Sequence, residues 1–115
     1  MTFDLNKREK KLARELIAIG IENAYKKALE STEEVIKTWR LDKITNRQAY
    51  QQVYREIHLR DKDIAQRYNW LTGSKYFQTV ATLFTEKVIS EKDIAGFSDE
   101  TKRKIYAFCN NDDEN

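Results

Sequence analysis

The one histidine of the chain, His58, stands between Ile57 and Leu59, with Glu56 two residues before it and Asp61 three residues after. On a helix that spacing lets the imidazole and the Asp61 carboxylate share a face, as a base and its orienting acid would, or as half of a metal site. A closed metal site needs three or four ligands, and a carboxylate-bridged site in a helical bundle needs Glu-x-x-His pairs; the sequence has no such pair. His58 is therefore expected as a surface or boundary residue. Cys109, the one cysteine, lacks a second histidine to activate it and has no intrachain disulfide partner, so a reduced, partly buried thiol is expected. The three glycines, Gly20, Gly73 and Gly96, are too far apart for a phosphate-binding loop. These residues predict no catalytic group, no metal ligand and no cofactor, and the chain is expected not to be an enzyme.

Nucleic-acid binding is the main functional alternative. The segment around Arg47, Arg55, Arg60 and Arg67 also carries Tyr54, Tyr68 and Trp70, and the N-terminal Lys7, Arg8, Lys10, Lys11 and Arg14 form a modest basic face. Glu56, Asp61 and Asp63 dilute the arginines. The tyrosines fall at core-like spacing, and the last candidate helix opens on Asp99 and Glu100, which phosphates repel. The net charge of +2 hides no strongly basic domain. A membrane-surface role for the amphipathic N-terminal segment lacks aromatic anchors after Phe3, no window is long and apolar enough to span a bilayer, and nothing at the N-terminus reads as a signal peptide. A cytoplasmic protein that does not act at a membrane is expected.

The elements that must position these residues are helices. Proline is absent, and residues that favour helix fill the chain, which predicts an all-α fold. The segment from Leu5 to Trp39 is helical in pattern. Its second half carries Ala18, Ile21, Tyr25, Ala28, then Thr32, then Val35 and Trp39 at 3-4 spacing, whereas Leu5, Leu12, Leu16 and Ile19 point to the other side, so the apolar stripe is expected to change sides near Gly20. Either the helix breaks there, or it runs on and is gripped by different partners at its two ends. Thr45 with Gln48 forms a capping box that opens a second helix, whose seam is read as Tyr50, Tyr54, Ile57, Asp61, Ile64, Tyr68 and Leu71, closing at Gly73. Ser74, Ser90 and Ser98 are positioned to cap three shorter helices.

The expected architecture is one helical domain over residues 1–109. A long antiparallel hairpin over 1–73 is capped by the short helices of 74–109, and a disordered acidic tail follows over 110–115. Asp61 is the one polar residue in the predicted seam. It is expected either to be buried and to fix the hairpin register through the Tyr25 hydroxyl, or to be exposed where the seam bends. A hairpin with a stripe that switches faces has more apolar surface than one chain hides. A helical-bundle homodimer is therefore expected, with Leu5, Leu12, Leu16 and Ile19 at its interface. The function that follows is a protein-protein interaction or regulatory module, with the chain itself as first partner.

Overall fold

A computed structural model describes residues 3–113. In chain order it contains α1 (Lys7–Arg40), α2 (Asn46–Tyr68), a single 3-10 turn (Gly73–Lys75), α3 (Tyr76–Thr85), α4 (Glu91–Ile94) and α5 (Asp99–Asp113), and no strand among the described residues. The fold is all-α. It divides into two compact units, one made of Met1–Gly20 with Trp70–Asn115, the other of Ile21–Asn69. These boundaries differ from the expected division at residue 73, because the first twenty residues group with the short helices.

Helix α1 is unbroken through Gly20. Its buried positions run 9, 13, 16, 17 and 20 in the first half and 28 and 32 in the second, with half-buried 24 between them, a 3-4 progression along one side. The stripe therefore does not change sides. The expectation that it does set Ala18 and Tyr25, both exposed, on the covered side, whereas the line that is covered passes through Glu9, Ala13, Gly20, Ala24 and Ser31.

The first unit holds the larger core. Val80, Leu83, Ile94 and Ile105 are fully buried, together with Leu5, Ala13, Leu16, Ile17, Ala81, Ile89 and Phe97, and each large side chain removed from water contributes about 1.5–3 kcal/mol. Helices α3 and α5 pack directly, with the Phe84 and Tyr106 rings edge to face at 5.6 Å. In this unit Leu5 and Leu16 are buried by the chain itself, and Leu12 reaches Gly96 so closely that its Cδ2 lies 3.0 Å from where a Cβ would stand. Ile19 alone of the four expected dimer-contact residues is largely exposed. The short helices thus cover the surface that had been assigned to a partner.

One carboxylate joins the beginning of this unit to its end. Asn6 Oδ1 accepts the Glu9 backbone N–H at 2.9 Å, and the Glu9 carboxylate takes the Asn6 backbone N–H in return, a capping box at the start of α1. The same carboxylate, on a residue only 3% exposed, accepts the backbone N–H of Ser98 at 3.1 Å, and Ser98 is the cap of α5, whose Oγ accepts the Thr101 N–H. Glu9 therefore serves two helix N-termini at once. Beside it, Arg8 donates to the Gly96 carbonyl at 2.7 Å. Burial pushes the Glu9 carboxyl up, but the hydrogen bonds from Ser98, Thr101 and Asn6 outweigh it and leave its pKa below the ordinary 4.5.

The second unit has a smaller interior. A turn over 41–45 follows α1, and Thr45 and Gln48 form the capping box that opens α2. Trp39 Nε1 donates to Asn46 Oδ1 at 2.7 Å across the turn, and further along Arg60 donates to Ser31 Oγ at 3.1 Å while facing Glu56 at 4.0 Å. The buried side chains here are Ala28, Thr32, Ala49 and Tyr68, and none of them is as completely enclosed as the core of the first unit.

Helix ends depart from the sequence reading in three places. Ser74 does not cap a helix: it lies inside the 3-10 turn, and α3 opens after Lys75 with no side-chain cap. α2 stops at Tyr68 rather than at Gly73: Asn69 is extended, and Trp70, not a glycine, takes a positive φ of 66°. The other positive-φ residues, Asp42 and Lys87, close α1 and α3 through bonds from Lys43 N to Thr38 O and from Val88 N to Leu83 O. α5 continues through Asn110 to Asp113, so these four residues are not a disordered tail; residues 114–115 lie outside the described residues.

Replacing Glu9 by Ala strands two backbone donors and is expected to cost about 3 kcal/mol, with Glu9→Gln losing roughly 1 kcal/mol, as measured by urea unfolding at pH 7. Because the folded-state pKa of Glu9 is lowered, its contribution is complete above the ordinary glutamate value of 4.5 and is lost as pH falls through the lower folded value. Acid unfolding of Glu9→Gln is accordingly expected to show a shallower pH dependence than the parent chain; identical profiles would assign the acid sensitivity elsewhere.

Candidate interaction face

In the second unit Ala28, Thr32, Ala49 and Tyr68 are buried, whereas several of the large apolar side chains lie outside. On α1, Tyr25, Leu29 and Ile36 are exposed, Leu29 by 64%. With Thr32 between them they follow a 4-3-4 spacing, the pattern of a helix side that packs. On α2, Tyr50 and Tyr54 are 76% and 66% exposed, and Ile57 is exposed on the same line. The side of α2 that turns inward is instead Ala49, Gln52, Val53, Glu56, Arg60 and Ile64. As far as Arg60 the actual seam is displaced by one residue from the predicted one, which turns Tyr50, Tyr54, Ile57 and Asp61 by about 100° out to solvent, and at Ile64 and Tyr68 the two coincide.

That rotation decides the fate of Asp61. It follows Ile57 on the exposed line and is itself exposed, as is Tyr25, so neither is a buried polar register point. The open alternative, an exposed Asp61, is the one realised. The polar contacts across the seam run instead through Ser31, Glu56 and Arg60. Arg60 has the length to lay its methylenes along the seam and carry its guanidinium to Ser31.

His58 stacks its ring on Tyr54, with centroids 6.0 Å apart and planes 5° from parallel, beside an open groove of ≈ 590 Å³ lined also by Tyr50, Gln51 and Arg55. The groove is one wall of aromatic surface along a single helix. Among the described residues, no three His, Cys, Asp or Glu side chains are grouped to hold a metal ion. Cys109 is half-buried and borders a separate groove with Phe84 and Ile89.

The four arginines do not converge. Arg47 and Arg55 are exposed, whereas Arg60 is engaged at the seam and Arg67 lies over the Tyr68 ring at 5.9 Å. Spaced at 100° per residue, Arg60 and Arg67 leave α2 on a side different from Arg47 and Arg55. Among the described residues, no helix is long and apolar enough to cross a membrane.

Comparison with protein families, curated proteins and solved structures found no match. The chain's own geometry is the guide to its role.

Sequence reasoning missed Leu29 and Ile36, although the spacing Tyr25, Leu29, Thr32, Ile36 is there to be read. It also missed Glu9, for which the Asn6-x-x-Glu9 capping pattern was the signal.

Because the face is exposed, Leu29→Ser and Tyr50→Ser are expected to shift the chain's own unfolding free energy by no more than about 0.5 kcal/mol under dilute conditions, whereas Ile105→Ala in the core of the first unit costs about 2–5 kcal/mol. Chemical denaturation of the three variants at low protein concentration checks the contrast.

Proposed function

We propose that this chain is a non-enzymatic helical protein-protein interaction module whose binding face is the apolar line of Tyr25, Leu29 and Ile36 on α1 with Tyr50, Tyr54 and Ile57 on α2. The supporting observation is the inverted burial of the second unit, in which these large side chains are exposed while Ala28, Thr32 and Ala49 are buried. Monomeric domains seldom leave a contiguous apolar line open without using it.

In this reading the residues 21–69 pack as an antiparallel hairpin. On each helix the exposed line stands about a quarter turn from the buried one, in the same rotational sense. Two helices running in opposite directions then present their lines on the same side of the pair, forming one broad face rather than two separate stripes. Such a face takes a helical partner, whose side chains enter between the two rows, and assembly as a helical bundle belongs to the same reading. A cytoplasmic setting, where Cys109 stays reduced, suits it.

The nucleic-acid alternative is less well supported, because the arginines it relies on are split between the seam and the surface. The chemistry at the face is aromatic and aliphatic with scattered charges of both signs.

The test is photo-crosslinking in the cells that express the protein, with a benzophenone amino acid in place of Tyr54 and, as control, in place of the exposed Lys92. Protein adducts formed from position 54 and not from position 92 are expected. Adducts to nucleic acid alone, or the same adducts from both positions, would overturn the proposal.

A further inference from the structure

The exposed face of the second unit matches, in extent and in what it lacks, another copy of itself. We infer that its occupant is a second copy of this chain, the two faces closing into a four-helix bundle. The inference rests on the reading of that face as a binding surface and adds the identity of the partner.

Three observations carry it. First, the unit is incomplete as an interior. Its buried side chains are Ala28, Thr32, Ala49 and Tyr68, none of them fully enclosed, and two helices joined by these, by half-buried Val35, Val53 and Ile64 and by a few polar contacts bury too little to hold together unaided. The missing core is the set of large side chains now facing water. Covering them from one side supplies to this unit what Val80, Leu83, Ile94 and Ile105 supply to the other.

Second, the shape of the gap calls for two helices. The apolar residues stand in two rows, one on α1 and one on α2, so a single helix laid between them leaves its own outer side uncovered, whereas a pair of helices of the same length closes both rows. A second copy supplies such a pair with matching length and complementary apolar content, and a two-fold axis needs no further design.

Third, the area is sufficient. At the exposures observed, the six side chains leave roughly 600–700 Å² open per chain, so that pairing two faces removes roughly 1,300 Å² from water before the flanking polar groups are counted, within the range of stable interfaces. The surface that sequence reasoning assigned to self-association, Leu5, Leu12 and Leu16, is already occupied by the chain's own short helices. Self-association therefore uses the opposite end of α1 from the one expected.

The polar residues on and beside the face do not oppose this. Charges of both signs, Glu22, Glu33 and Arg40, flank the α1 row and Arg47 flanks the α2 row, so no single-sign field holds two copies apart. Asp61 is the next position of the α2 row after Ile57 and stands at its end, past the last apolar residue of the face.

The experiment is light scattering and sedimentation equilibrium on the full chain from low to high micromolar concentration, for the parent and for Leu29→Glu, Tyr54→Glu and, as control, Lys92→Glu. The parent is expected to reach the mass of two chains. The two face variants are expected to raise the dissociation constant at least about a hundredfold, because each buries a carboxylate at the contact, and the control is expected to leave it unchanged. Circular dichroism verifies that the variants remain helical. Should either lose structure, Tyr50→Ser, which adds no charge, is expected to weaken dimerisation about tenfold. A parent chain that stays monomeric at high micromolar concentration would overturn the second-copy inference while leaving the interaction-module reading to the crosslinking result. A dimer indifferent to all face substitutions would overturn the assignment of this face.

Discussion

The first unit depends on where one buried carboxylate goes. A glutamate in the first turn of a helix is ordinary, since the helix dipole favours negative charge there. What Glu9 does beyond that is to reach across to the N-terminal cap of α5, so that two sets of helix N–H groups share one acceptor. Burying a charge so completely is unfavourable unless its hydrogen-bonding capacity is filled, and here backbone and hydroxyl donors fill it. The first and last helices of the chain are held in register by this group, and the apolar residues around it, Leu5, Ala13, Ile105 and Phe97, pack where that register puts them.

The two units solve the same problem in different ways. In the first, short helices fold back over α1, and large aliphatic side chains meet in a dry interior with polar groups confined to caps. In the second, small residues line the seam between the helices, Arg60 and Ser31 join across it, and the large side chains turn outward. One unit is finished by its own chain. The other has the composition of a core turned outside in, which is the physical basis for reading it as the working surface.

Helix termination shows how far local chemistry bends to tertiary demand. Glycine was the natural candidate for the left-handed residue after a helix, yet Asp42, Trp70 and Lys87 take that conformation, and none of the glycines does so. Aspartate tolerates it through its short polar side chain; tryptophan and lysine carry a steric cost of about 1 kcal/mol.

By itself the sequence determined that the protein is all-α, where α2 begins, and that Ser90 and Ser98 mark the starts of helices, because these follow from helix propensity and from hydrogen bonds spanning three or four residues. It also carried the 3-4 spacings of Tyr25, Leu29 and Ile36 and of Tyr50, Tyr54 and Ile57. What it did not determine is which side of each helix turns inward. An amphipathic pattern tells that a helix has an apolar side, and both α1 and α2 have a second line of small or mixed residues a quarter turn away that takes the inward side instead. The choice between the two lines, the exposure of Asp61, the covering of Leu5 and Leu16 by the chain's own C-terminal third and the second role of Glu9 are contacts between residues tens of positions apart, and the tertiary structure alone decided them.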